Sequence, residues 1–129
     1  MRFSVEKPVD DPVMTFVMMM LHSVTNAHIL HFKAPTLSIH EAMGAYYGEV
    51  ADLVDSFVES FQGKYGLLTK YTADYSLPTT PLEYMTGLKD QIAELRRMNG
   101  FPQDSELQNE VDSIANLVNS TIYKLTYLK

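Results

Sequence analysis

The sequence predicts a single all-α domain over residues 1–129, with four helices packed as an antiparallel bundle. Three observations predict it. Apolar residues recur at helical spacing in four separate stretches. Proline and glycine fall between those stretches, where a helix has to stop. The first two stretches are joined by a link so short that they must run antiparallel. At 129 residues and 46% hydrophobic, the chain is long enough to bury one core.

The first helix is expected from Asp11 to Lys33. Asp11 suits the N-cap and Pro12 the first helical position. Ala34-Pro35 stops it, because a residue before proline is pushed out of the helical region. One stripe holds Val13, Val17, Met20, Val24, Ala27, His28 and His31. A second holds Met14, Met18, Leu21, Ile29 and Phe32. Two apolar faces fit either a fully buried helix or one that also packs on another subunit. The Met14, Met18, Met19, Met20 group reads as core or interface filler.

The second helix is expected from Ser38 to Gln62, ending at Gly63 and Gly66. Its inward stripe is His40, Met43, Gly44, Tyr47, Ala51, Val54, Val58 and Phe61, with Glu41, Asp52 and Glu59 to one side. Residues 63–80 form the longest irregular stretch, so the connection between helices 2 and 3 is the long one. Thr80-Pro81-Leu82-Glu83 has the pattern of a capping box, and a third helix runs from there to about Asn99, with Gly100 at C′. Ser105 with Gln108 repeats the box. The fourth helix carries Leu107, Val111, Ile114, Leu117, Val118 and Leu125.

Composition narrows the chemistry. The absence of cysteine excludes disulfides, thiolate metal sites and thiol catalysis. A net charge of -6 without a lysine or arginine run disfavours nucleic acid. The apolar run Val13–Leu21 is too short to span a bilayer, and no signal peptide is evident, which predicts a cytoplasmic protein without membrane partners. No Ser–His–Asp arrangement, phosphate-binding loop or dinucleotide glycine motif occurs.

The four histidines, His22, His28, His31 and His40, all lie in the first helix or early in the second. His28 and His40 flank the bend and stand at similar heights in an antiparallel hairpin, so their rings can converge. Asp55 and Glu59 sit one helical turn apart, within reach of one ion. Asp55 is fifteen residues beyond His40, about 22 Å along the helix, too far for a shared ion in one chain. A two-fold axis running the second helix antiparallel to its own copy would supply the carboxylates from a partner, twice per dimer. His31 reads as an outer-sphere or polar helix-end residue and His22 as surface or interface. Glu41 suits a role orienting His40. Tyr46 and Tyr47 point different ways, Tyr47 inward.

The stretch from Leu21 to Glu59 resembles the first helical hairpin of the Dps proteins, the mini-ferritins. In that pattern a histidine is followed after twelve residues by another, then after fifteen by an aspartate and after four by a glutamate. Here these are His28, His40 in Ile39-His40-Glu41, Asp55 and Glu59. The resemblance implies a ferritin-like bundle in which the four residues form an iron-oxidising site between two-fold-related subunits. It implies Fe(II) oxidation by peroxide or oxygen, storage of the product, and a homo-oligomer up to a dodecamer. Imidazole with carboxylate also suits zinc or manganese. The chain departs from the pattern at Ile29-Leu30, where Trp-Asn is usual, at Gly44, where an acidic residue is frequent, and at Glu59-Ser60 in place of Glu-Arg. Gly44 and the missing Trp-Asn favour the alternative, a metal-free oligomeric scaffold or interaction module.

Overall fold

The computed structural model describes residues 11–129. Residues 1–10 lie outside them. The described chain is four α-helices: α1 (Pro12–Lys33), α2 (Leu37–Tyr65), α3 (Pro81–Leu95) and α4 (Ser105–Tyr127). Helix α1 starts as the sequence dictates. The Asp11 carboxylate accepts from the Val13 and Met14 amides at 3.0 and 3.3 Å, and Pro12 occupies the first turn.

The other boundaries moved for local reasons. Gly63 does not end α2, which continues to Tyr65 and stops at Gly66, whose φ of 103° is left-handed. Thr80 caps nothing with its side chain. Its hydroxyl donates to the Glu83 carboxylate at 3.0 Å instead. Helix α3 ends at Leu95, short of Asn99, and Gly100 takes a φ of 98° in the following turn. Ser105 lies inside α4 with Asp104 at its N-cap. Gln108 turns away to donate to the carbonyls of Pro102 and Arg96, at 2.9 and 3.2 Å.

One end of the bundle, the base, gathers four termini. Phe101, just after α3, packs on Phe16 near the start of α1, with centroids 5.5 Å apart. The Tyr65 hydroxyl at the end of α2 donates to Asp104, before α4, at 2.7 Å, and Lys64 pairs with the same carboxylate. So α1 and α4 leave the base while α2 and α3 arrive at it. Neighbouring pairs are α1 with α2, α2 with α4, α4 with α3 and α3 with α1, each antiparallel. Residues 66–80 must therefore climb from the base before α3 can descend.

This crossover is fastened to α1 by Asn26, a buried side chain that the sequence did not single out. Asn26 accepts from the Tyr75 hydroxyl at 2.6 Å and donates to the Ser76 carbonyl at 3.3 Å and the Tyr84 hydroxyl at 3.2 Å. Burial pushes the Tyr84 hydroxyl up to about 12.

The core runs the length of the bundle through Phe16, Met20, Met43, Tyr46, Phe57, Met85, Ile92, Leu107 and Ile114. On α2 the buried line is Met43, Tyr46, Val50, Val54, Phe57 and Phe61, rotated from the expected stripe, so Tyr46 rather than Tyr47 is fully inside. Its hydroxyl makes that tolerable. Ser23 donates to the Met20 carbonyl at 2.7 Å, and Tyr46 shares a 2.9 Å bond with the Ser23 oxygen. Burial holds the Tyr46 hydroxyl well above its ordinary range. Of the two faces expected on α1, Leu21 and Phe32 are exposed while Met14 is buried. Over its full 22 residues α1 is long and apolar enough to cross a membrane, although Val13–Leu21 alone is not, and half of its apolar window is buried in the bundle.

Candidate functional site

The link between α1 and α2 is residues 34–36, which decides which histidines face each other. His31 stands two residues before the end of α1, and His40 three after the start of α2. They are the pair at equal height. Their rings stack with centroids 3.7 Å apart and planes 23° from parallel. The expected partner of His40, His28, lies a further turn down α1 and meets Tyr47 instead.

The His31–His40 contact is reciprocal. His31 Nδ1 lies 2.7 Å from the His40 carbonyl oxygen, and His40 Nδ1 lies 2.9 Å from that of His31. A carbonyl can only accept, so each Nδ1 carries a proton and donates it. In the neutral rings both Nε2 atoms are then left with lone pairs. The His40 ring also donates to one of the last carbonyls of α1, which the Ala34 amide at the C-cap reaches only at 3.4 Å.

Gly44 makes room for this contact. A Cβ built there would stand 3.0 Å from His31 Nδ1 and 3.1 Å from its Cε1. The His31 ring therefore lies on bare backbone of α2. The glycine that the sequence marked as a missing acidic ligand is the floor beneath an imidazole.

His28 is held by its ring faces. It stacks on Tyr47 at 4.2 Å and on Phe32 at 4.5 Å, while His31 stands 6.1 Å away. Tyr47 is half-buried and Phe32 is 72% exposed. His22 lies lower on α1, edge-on to Tyr75 of the crossover at 5.1 Å. Glu41 is exposed. Asp55 and Glu59 are exposed on α2, one turn apart, in its lower half. Among the described residues, no group of three or more histidine, cysteine, aspartate or glutamate side chains could hold a metal ion. The four residues of the predicted site are not gathered within one chain.

A groove of about 570 Å³ runs between α1, α3 and the crossover, lined by Met14, Met18, His22, Asn26, Tyr75 and Leu88 among others. Its apolar wall includes part of the methionine group noted in the sequence.

No curated protein and no solved structure matches the chain. The model of one family matches residues 31–125, which takes in the His31–His40 pair, Gly44, the crossover and most of α4. The chain therefore belongs to that family, described as a family of unknown function, DUF5856.

Proposed function

We propose that this protein is an oligomeric metal-binding bundle of the Dps kind, taking Fe(II) as substrate between two-fold-related subunits in the cytoplasm. In this reading His28 and His40 come from one chain and Asp55 and Glu59 from the partner. Iron bound there is oxidised by peroxide or oxygen, and the product is held within the assembled shell. Zinc or manganese would occupy the same donors.

The observation that carries the reading is the state of His40. Its Nδ1–H is given to the His31 carbonyl at 2.9 Å, which leaves Nε2 as the atom for a metal. Metal-binding histidines commonly give their other ring proton to a backbone carbonyl, which fixes tautomer and orientation. Two further features agree with it. Asp55 and Glu59 are exposed, as ligands offered to a second copy have to be. The helix order, with one long crossover, is the connectivity that ferritin-like bundles use.

The second reading is a metal-free oligomeric scaffold. It is favoured by the lack of a three-ligand group among the described residues and by the exposed Phe32 and Leu37 beside the bend.

Anaerobic Fe(II) titration of the purified protein, with metal analysis, separates them. Saturable binding, lowered in His40→Ala and Asp55→Ala alike, is the expected result. An absence of binding by the parent protein leaves the scaffold. Light scattering tests the assembly, because a stable monomer removes any site shared between subunits.

A further inference from the structure

We propose that Met18, Met19 and His22, neighbours on the face of α1 that lines the groove under the crossover, form a site for a soft monovalent cation, Cu(I). The site uses none of the four residues of the shared site above and needs no partner subunit. It goes beyond that reading and does not rest on it.

The structure separates the methionines of α1. Met20 is part of the core and Met19 packs against it, whereas Met14 and Met18 belong to neither group. Met14, Met18, Met19 and His22 all line the groove of about 570 Å³. Met14 is buried, while Met18, Met19 and His22 are half-buried, covered by protein yet open to a small ion. His22 stands four residues after Met18 and three after Met19. Both spacings make neighbours on a helix surface, with Cβ atoms about 5–6 Å apart. Met14 is eight residues from His22, about 12 Å along the axis, too far for the two to share an ion. Met18 and Met19 diverge around the helix, but a methionine has three rotatable bonds, so both sulfurs can turn toward an ion held at His22.

His22 has its ring nitrogens to offer. Among the described residues neither has a hydrogen-bond partner, and the ring meets Tyr75 of the crossover at 5.1 Å with the planes 84° apart. His31 and His40 differ, since each gives its Nδ1 proton to a carbonyl. Tyr75 is itself fixed through its hydroxyl to Asn26, one turn beyond His22 on the same helix, so the crossover steadies one side of the imidazole. Two thioethers with one imidazole are a soft donor set. Thioether sulfur selects Cu(I), whereas hard cations prefer carboxylate and carbonyl oxygen. Charge agrees with a cation: among the described residues no lysine or arginine lines the groove, and Asp74 and Glu83 do.

The test is an anaerobic Cu(I) titration of the full chain, with ascorbate as reductant and a chromogenic Cu(I) chelator as competitor. The expected result is one ion per chain, with sulfur and nitrogen neighbours in the copper X-ray absorption spectrum. Met18→Leu and Met19→Leu keep the apolar bulk, so far-UV circular dichroism is expected to stay unchanged while affinity falls at least tenfold in each. His22→Gln is expected to do the same. Should that variant fail to fold, the two leucine variants carry the test. Met14→Leu and His40→Ala are expected to leave Cu(I) affinity unaltered. If the parent chain holds no Cu(I) against the chelator, the proposal is overturned. Copper binding that survives both leucine substitutions together, or that is lost in His40→Ala, overturns it equally. Loss of Fe(II) binding in Asp55→Ala tests only the shared site, so the two readings fail separately.

Discussion

The two ends of the bundle are built from the same helices and do different work. At the base, Phe16, Phe57 and Phe101 form a closed aromatic cluster, with Phe16 edge-on to the other two at 5.0 and 5.5 Å. All three are buried. Around it, Asp104 gathers Lys64 and Tyr65 and ties α2 to the start of α4. At the hairpin end the aromatic groups are imidazoles and half-covered rings, and Phe32 and Leu37 are 72% and 69% exposed. Apolar burial supplies most of the stability of a domain. The core continues to the hairpin end through Leu30, Met43 and Tyr46, but the closed aromatic packing is confined to the base, and the rings at the bend stand partly in solvent.

The sharpest way to break this comparison is to truncate one ring at each end. Phe16→Ala is expected to cost about 3–5 kcal/mol, the usual range for removing a buried phenylalanine. His31→Ala is expected to cost about 1 kcal/mol, the scale of one net hydrogen bond. Equal losses in denaturant melts would show that the hairpin end is structural after all.

A smaller contrast lies within α2. Gly48→Ala meets open space and is expected to stabilise by about 0.5–1 kcal/mol through helix propensity alone. Gly44→Ala meets the His31 ring and is expected to lose that gain or reverse it. Thermal melts of the two variants measure the difference directly, and an identical gain at both positions would remove the seat beneath His31.

The smallest effect is electrostatic and belongs to the base. Hydrogen bonds from Lys64 and Tyr65 hold the Asp104 carboxyl below its ordinary range. A depressed carboxyl contributes stability above its unfolded pKa, and that contribution is lost as pH falls through the folded value. Lys64 is pushed up to about 12, chiefly by its bonds to Asp104 and Glu106, so its share is present below its ordinary pKa and lost as pH rises through about 12. Asp104→Asn is expected to flatten the acid limb of a stability–pH profile. An unchanged acid limb would mean that other carboxylates set it.

Much of the fold was legible because it rests on local rules. Asp11-Pro12 and Ala34-Pro35 bound α1 by chemistry that needs no tertiary context. The long connection before Pro81 followed from its lack of period. What the sequence misjudged depended on a few degrees of rotation or on competition. Tyr46 and Tyr47 are adjacent, and the rotation of α2 in the packed bundle puts Tyr46 inside, where its hydroxyl meets Ser23. Gln108 has the right spacing for a capping box, yet finds better acceptors on Pro102 and Arg96. His28 and His40 satisfied a spacing rule, but a link of residues 34–36 places the bend so that His31 is the one level with His40. Asn26 offered no pattern at all, because its partners lie some fifty residues away on the crossover and α3.

The direction of α4 has a practical consequence for handling the protein. The chain enters α1 at the base, and α4 runs from the base over 23 residues, about 34 Å, to finish at Tyr127 toward the end that holds the bend. Anything appended after Lys129 emerges on the same end as the His31 and His40 imidazoles. A polyhistidine tag placed there would stand beside those imidazoles and compete with them in any metal titration, whereas α1 begins at the opposite end.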